Sequence, residues 1–191
     1  WFGSTGQGVF RWDGRELQRF TTQQGLASDQ VYAIHQTPDG ALWFGTQAGL
    51  TRLAQGVWTS FTTHNGLTYG RIGDIQDREG RLFVATRGGG VACFDGQTWT
   101  SLDVRNGLPS NHIRDLAMDP SGDLWQGTDR GVARYRPDQT PPQVRITGVQ
   151  ADRLYTALDQ VPQLTMGTRS TFYFRAIDFK TPPAKRQYRH R

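Results

Sequence analysis

One spacing constrains this chain more than any other feature. Gly8, Gly49, Gly90 and Gly131 each precede Val or Leu, and successive members lie 41 residues apart. Gly25, Gly66 and Gly107, each followed by Leu, keep the same interval, as do Val31, Ile72 and Ile113. Phe20, Phe61 and Leu102 follow it too, with Leu17, Trp58 and Trp99. A second aromatic series, Trp1, Trp43, Phe83 and Trp125, is spaced 42, 40 and 42. Those one-residue slips fall beside turn-like segments and cancel by the next glycine. Length changes confined to loops, with core positions held in register, mark a folded repeat unit.

Each period reads as four short strands divided by turn signals. Residues 30–63 supply "QVYAIHQT", the turn "PDG", "ALWFGT", the turn "QAG", "LTRLA", the turn "QG" and "VWTSFTT". No stretch of ten or more residues shows helical spacing, and the density of Gly and Pro opposes one. Four strands in about 40 residues are the period of a β-propeller blade. A helical solenoid is excluded, and a β-sandwich would not need so regular a period. A blade is covered on both faces by its neighbours, so "VYAI", "LWFG" and "LAMD" need not alternate. The ring that precedes a small residue (Gly45, Ala85, Gly127) is expected to lie against a gap in the next blade, each ring burying about 150–250 Å².

"NGLPSNHIRDLAMDPSGDLWQGTDRGVARY", residues 106–135, resembles the two-component regulator propeller repeat, and residues 24–53 match it nearly as well. The copy at 65–94 departs, with Phe83 for Trp and Ala85 for Gly. The fold expected is therefore all-β, a partial β-propeller of about three and a half four-stranded blades over residues 1–136. Closed propellers have roughly 4 to 8 blades. N-terminal blades outside this chain are expected to complete the ring and to add a strand to the last blade. The abrupt start at Trp1-Phe2-Gly3 fits an excised region, so no targeting segment can be read.

A Pro-rich linker, 137–143, ends the periodicity. Beyond it, 144–150, 164–166 and 170–179 read as strands. "TFYFRAIDFKTPPAKRQYRHR" resembles the first half of the Y-Y-Y domain, an immunoglobulin-like β-sandwich, through Phe172, Phe174, Ala176, Asp178, Phe179, Pro182, Tyr188 and Arg189. Residues 144–191 are assigned to it.

Composition removes several functions. Residues 1–136 carry 13 basic and 13 acidic side chains, so the net charge of +5 lies wholly in the C-terminal part. A neutral propeller lacks the basic stripe of a nucleic-acid binder. No apolar run is long enough to span a membrane, so attachment would come only through flanking segments. Cys93, the single cysteine, reads as a small buried hydrophobe, and no cofactor is implied. His35, His64, His112 and His190 form no metal-ligand spacing and read as loop histidines. Asp39, Glu79, Asp119 and Asp123 read as turn acids pointing outward around the ring. "RGGG", 87–90, is followed by no helix, which rules out a phosphate loop.

Loops joining consecutive blades, and those between second and third strands, emerge at one rim. There the residues that differ between copies are free of shared structural duty. Tyr69, Arg71, Arg87, His112, Asp129 and Arg130 are the candidate ligand-binding residues, and their chemistry suits a hydroxyl-rich ligand. No catalytic or metal-binding residue is assigned. The resemblance implies a non-enzymatic, periplasmic or extracellular sensor region of a bacterial transmembrane protein, a sensor or hybrid histidine kinase responding to an oligosaccharide as a homodimer. The alternatives are a propeller-scaffold lyase or hydrolase, a protein-interaction propeller, and the input region of a diguanylate cyclase.

Overall fold

A computed structural model describes residues 1–136, 145–151, 153–156, 161 and 170–175. Four antiparallel sheets follow one another along the first 136 residues. The first holds β1 (Phe2–Gly3), β2 (Val9–Trp12) and β3 (Leu17–Phe20). The second holds β4 (Val31–Gln36), β5 (Leu42–Thr46), β6 (Leu50–Ala54) and β7 (Val57–Phe61). The third holds β8 (Ile72–Arg78), β9 (Arg81–Thr86), β10 (Val91–Phe94) and β11 (Trp99–Leu102). The fourth holds β12 (Ile113–Met118), β13 (Leu124–Thr128) and β14 (Gly131–Tyr135). Strands pair in sequence order within every sheet. β4, β8 and β12 pack against one another, so the first strand of each blade lies innermost. This is the all-β propeller architecture that the 41-residue period requires.

The core sits between blades. β5 and β9 are buried on both faces from Trp43 to Thr46 and from Leu82 to Thr86, which explains their unbroken apolar character. Trp1, Phe20, Phe44 and Trp58 form a ring cluster between the first two sheets, with centroids 5.3 to 5.5 Å apart. Trp43, Phe61, Phe94 and Trp99 repeat it between the second and third, at 4.7 to 6.3 Å. The gap left by Gly45 is filled by Ile72 of the next blade rather than by a ring. A Cβ at Gly45 would stand 2.7 Å from the Ile72 methyl.

Ring size and its cross-strand neighbour change together. Trp43 pairs with Arg52 and Trp125 with Arg134. Each guanidinium lies over its indole, 5.8 and 5.4 Å from the centroid. In the intervening blade the smaller Phe83 pairs with Cys93. Without the wide indole face a guanidinium has less to stack on.

Between blades the chain makes short 3-10 turns, Thr22–Gln24, Thr63–Asn65 and Val104–Asn106, each closed by a capping box. Thr21, Thr62 and Asp103 accept backbone N–H groups, while Gln24, Asn65 and Asn106 reach back to them. Gly25, Gly66 and Gly107 end these turns in the left-handed region. The spacing Thr/Asp-x-x-Gln/Asn-Gly encodes the turns directly.

The later strands form a separate sheet, ordered β16 (Leu154–Tyr155), β15 (Arg145–Gln150) and β17 (Thr171–Arg175). Phe172 and Phe174 lie on β17. The strand expected at 164–166, and Ala176, Asp178, Phe179, Pro182, Tyr188 and Arg189, lie outside the described residues.

A second glycine series serves the outermost strand. A Cβ at Gly8, Gly49 or Gly90 would overlap the carbonyl oxygen of Phe20, Phe61 or Leu102 on the neighbouring outermost strand. Gly131 occupies the same position in the last blade and, among the described residues, meets nothing within 4 Å. Gly90 and Gly96 both have positive φ, 79° and 95°, but only Gly90 faces that carbonyl. Gly96→Ala is therefore expected to cost about 1–2 kcal/mol, the left-handed penalty alone. Gly90→Ala should cost clearly more in urea unfolding; equal costs would remove the fourth-strand contact as the reason for this glycine.

Candidate ligand-binding rim

An antiparallel meander brings the start of each first strand and the end of each second strand to one rim. Backbone hydrogen bonds tie these ends together. Gln47 N–H donates to Gln30 O at 3.0 Å, and Arg87 N–H to Arg71 O at 2.9 Å. Isolated bridges, Thr5 to Gln30 and Arg87 to His112, stitch a blade to the next.

Each innermost strand also carries a bulge. Pairing register shifts between Val31 and Ala33, between Ile72 and Asp74, and between Ile113 and Asp115. The extra residues are Tyr32, Gly73 and Arg114. A bulge bends its strand and re-aims the side chain. Tyr32 and Arg114 are exposed at the rim, whereas Val31 and Ile113 beside them are buried.

A contiguous strip results. The Tyr32 hydroxyl donates to Gln47 Oε1 at 2.8 Å, with Gln30 Oε1 3.0 Å away. The Arg71 guanidinium lies over the Tyr32 ring, 5.2 Å from its centroid. Arg87 Nε stands 3.0 Å from where a Cβ of Gly73 would be, so the bulge glycine leaves room for this side chain. His112 continues the strip beside Asp129, whose carboxyl is held below the usual range chiefly by a hydrogen bond from Ser110, with His112 and Arg130 adding to it.

All six candidates from the sequence lie at this rim. Arg71, His112, Asp129 and Arg130 are exposed and Arg87 is half-buried. Tyr69, though 43% exposed, has a packing duty. A Cβ at Gly88 or Gly89 would strike Tyr69, so the glycine-rich loop is shaped to this residue. Gln30, Tyr32, Gln47 and Arg114 belong to the strip and were not among the six. Gln30 shares a repeat position with Arg71 and His112, a signal that could have found it. Gln47 occupies the register of Arg87 and Asp129, each following the last residue of a second strand.

Other sequence candidates take structural roles. His35 is not a loop residue: it lies on β4, and its Nε2 meets Asp77 Oδ1 of the next blade at 2.6 Å. Asp123 does not point outward; it is buried and held by Arg134 and Arg136, each at 3.0 Å. Asp39 and Asp119 cap their own turns, as expected of turn acids. A cleft of ≈ 530 Å³ opens between the second and third blades at the far strand ends, lined by Trp43, Arg52, Phe61, Asp77, Arg81 and Phe94. Arg52 there is paired with Asp39 and Asp77 with His35. Among the described residues no cluster of His, Cys, Asp and Glu could hold a metal ion. His190 lies outside them.

Residues 25–48 and 107–130 match the family described as two component regulator propeller. The two segments start two repeat periods apart, and the copy between them is the one that carries Phe83 and Ala85. A curated relative, Histidine kinase P4 of Formosa agariphila, is 24% identical over 151 residues, 71% of this chain and 11% of that protein. The extracellular domain of a protein described as a hybrid two component system of B. thetaiotaomicron superposes with a TM-score of 0.64 at 21% identity, over 87% of this chain and 24% of that one. PorZ of Porphyromonas gingivalis, described as a surface component of the type-IX secretion system, gives 0.54 at 17% identity, over 98% and 33%. This chain thus spans about a tenth of the curated relative and a quarter of the first structure. At such identities the structural likeness establishes the fold.

Cys93 lies on β10, 2% exposed, and burial pushes its thiol up to about 11. The native protein at pH 8 is expected to resist a thiol-specific disulfide reagent and to react fully in denaturant. Rapid labelling of the native state would show the thiol to be accessible.

Proposed function

We propose that this run of two-component regulator propeller blades is part of the ligand-binding input region of a bacterial transmembrane signalling protein, a sensor or hybrid histidine kinase that detects an oligosaccharide. One observation carries the reading. The blades share their core residues and differ at one rim, where bulges present Tyr32 and Arg114 beside Arg71, Arg87 and His112. A repeat that conserves packing and diversifies one surface has the layout of a recognition surface. Tyr32 offers an exposed ring for a sugar face, and the glutamines and arginines offer hydrogen bonds to hydroxyls.

The relatives described as histidine kinase and as a hybrid two component system support a signalling role, and the extracellular placement of the latter supports a site outside the cytoplasm. Among the described residues no helix is long and apolar enough to cross a membrane. The last blade supports membership of a larger propeller. Among the described residues it has three strands, yet Gly131 keeps the glycine that elsewhere admits a fourth. In this reading ligand spans several blades and shifts a dimer between two arrangements, which requires different affinities for the two.

Calorimetry of the intact protein against a glycan panel, beside a turnover assay and a measurement of autophosphorylation, tests this. Binding without turnover and a ligand-dependent change in autophosphorylation are expected. Tyr32→Ala should weaken binding about tenfold, in line with loss of a stacking ring. Turnover with no change in signalling output would replace the sensor reading with an enzymatic one.

A further inference from the structure

Arg71, Arg87 and Arg114 are gathered at one rim with, among the described residues, no acid paired to any of them. Five other arginines of these blades, Arg52, Arg78, Arg105, Arg134 and Arg136, each contact a carboxylate, and Arg11, Arg15, Arg19, Arg81 and Arg130 have none within ion-pair distance among the described residues. Among the described residues the three rim arginines have no carboxylate within ion-pair distance. Of the nearby acids, Asp74 accepts from Leu116 N–H at 2.9 Å, Asp129 is bonded by Ser110 and flanked by His112 and Arg130, and Asp115, exposed next to Arg114, forms no ion pair with it. The rim therefore gathers three guanidiniums and His112 on adjacent blades, with Asp129 at one end.

Their placement argues against simple solvated charges. Arg71 is laid over Tyr32, which orients its planar fork. Arg87 is half-buried, and the glycine at the bulge of β8 makes the space it occupies. An oriented guanidinium presents paired N–H donors matched to the two oxygens of a carboxylate or the oxygens of a sulfate. Neutral hydroxyls would leave that charge uncompensated.

We infer that the rim selects an anionic saccharide, one bearing carboxylate or sulfate groups, with Arg71 and Arg87 as the anion-binding pair and Tyr32 as the stacking platform. This rests on the ligand-binding reading above and narrows its ligand class. Asp129 sets a boundary, because its charge repels an anion that reaches the last blade.

The test is calorimetry on the intact protein with tetragalacturonate, a chondroitin sulfate tetrasaccharide and cellotetraose. At least one anionic probe should bind, and more tightly than cellotetraose. Arg71→Gln and Arg87→Gln should each weaken that binding by at least about tenfold, the usual worth of a charge-assisted hydrogen bond. Binding should also fall with added salt. Asp129→Asn, which a merely structural rim would not register, should strengthen it. Thermal melts establish that the variants fold, and both arginine sites are at the surface. Comparable binding of all three probes, unchanged in R71Q and R87Q, would overturn the anionic selectivity while leaving a ligand-binding rim. Binding of none would remove the rim site itself. The two anionic probes separate carboxylate from sulfate recognition.

Discussion

Ring-on-ring packing between consecutive sheets is the interaction on which everything else rests. A four-stranded meander with apolar residues on both faces cannot bury them by itself. Trp43 and Phe61 of one blade meet Phe94 and Trp99 of the next, and Trp1 and Phe20 meet Phe44 and Trp58 in the same manner. Each contact sets the pitch from blade to blade, and the pitch holds the innermost strands together. Only then do bulges at Tyr32, Gly73 and Arg114 line up along one rim. The proposed recognition surface therefore depends on the core spacing.

The same division explains what could be read from residues alone. Architecture was legible because a period of 41 repeats through glycines and rings whose roles are local: a left-handed turn, a close carbonyl, a flat face. The six rim candidates were legible because they interrupt that pattern. Tyr32 and Arg114 were not. Their direction depends on a bulge, a register feature set by pairing with β5 and β13 and unmarked by any residue type. His35 and Asp77 lie 42 residues apart, and only the stacking of blades brings them together. Asp123 resembled the acids of neighbouring turns until Arg134 and Arg136 enclosed it.

The expected fit of a ring against a small residue was right about complementarity and different in its partners. The hollow at Gly45 takes the branched Ile72, while the indole before it meets Phe94. At Gly45 a branched residue and a flat ring thus fill adjacent places between two blades, so their sizes are set together. The joint change from Trp and Arg to Phe and Cys in the third blade shows such a coupled adjustment.

Gly131 leaves one consequence. Among the described residues its blade ends at β14, where Gly131, in the left-handed region at φ 117°, leaves room for a carbonyl oxygen, and exposed Val132 sits beside it. The outer edge of that sheet is therefore shaped as a socket for a further strand. A socket of main-chain atoms reads shape and hydrogen-bond polarity, and it is indifferent to which polypeptide fills it. The order in which strands reach such an edge decides whether it pairs within one chain or between two.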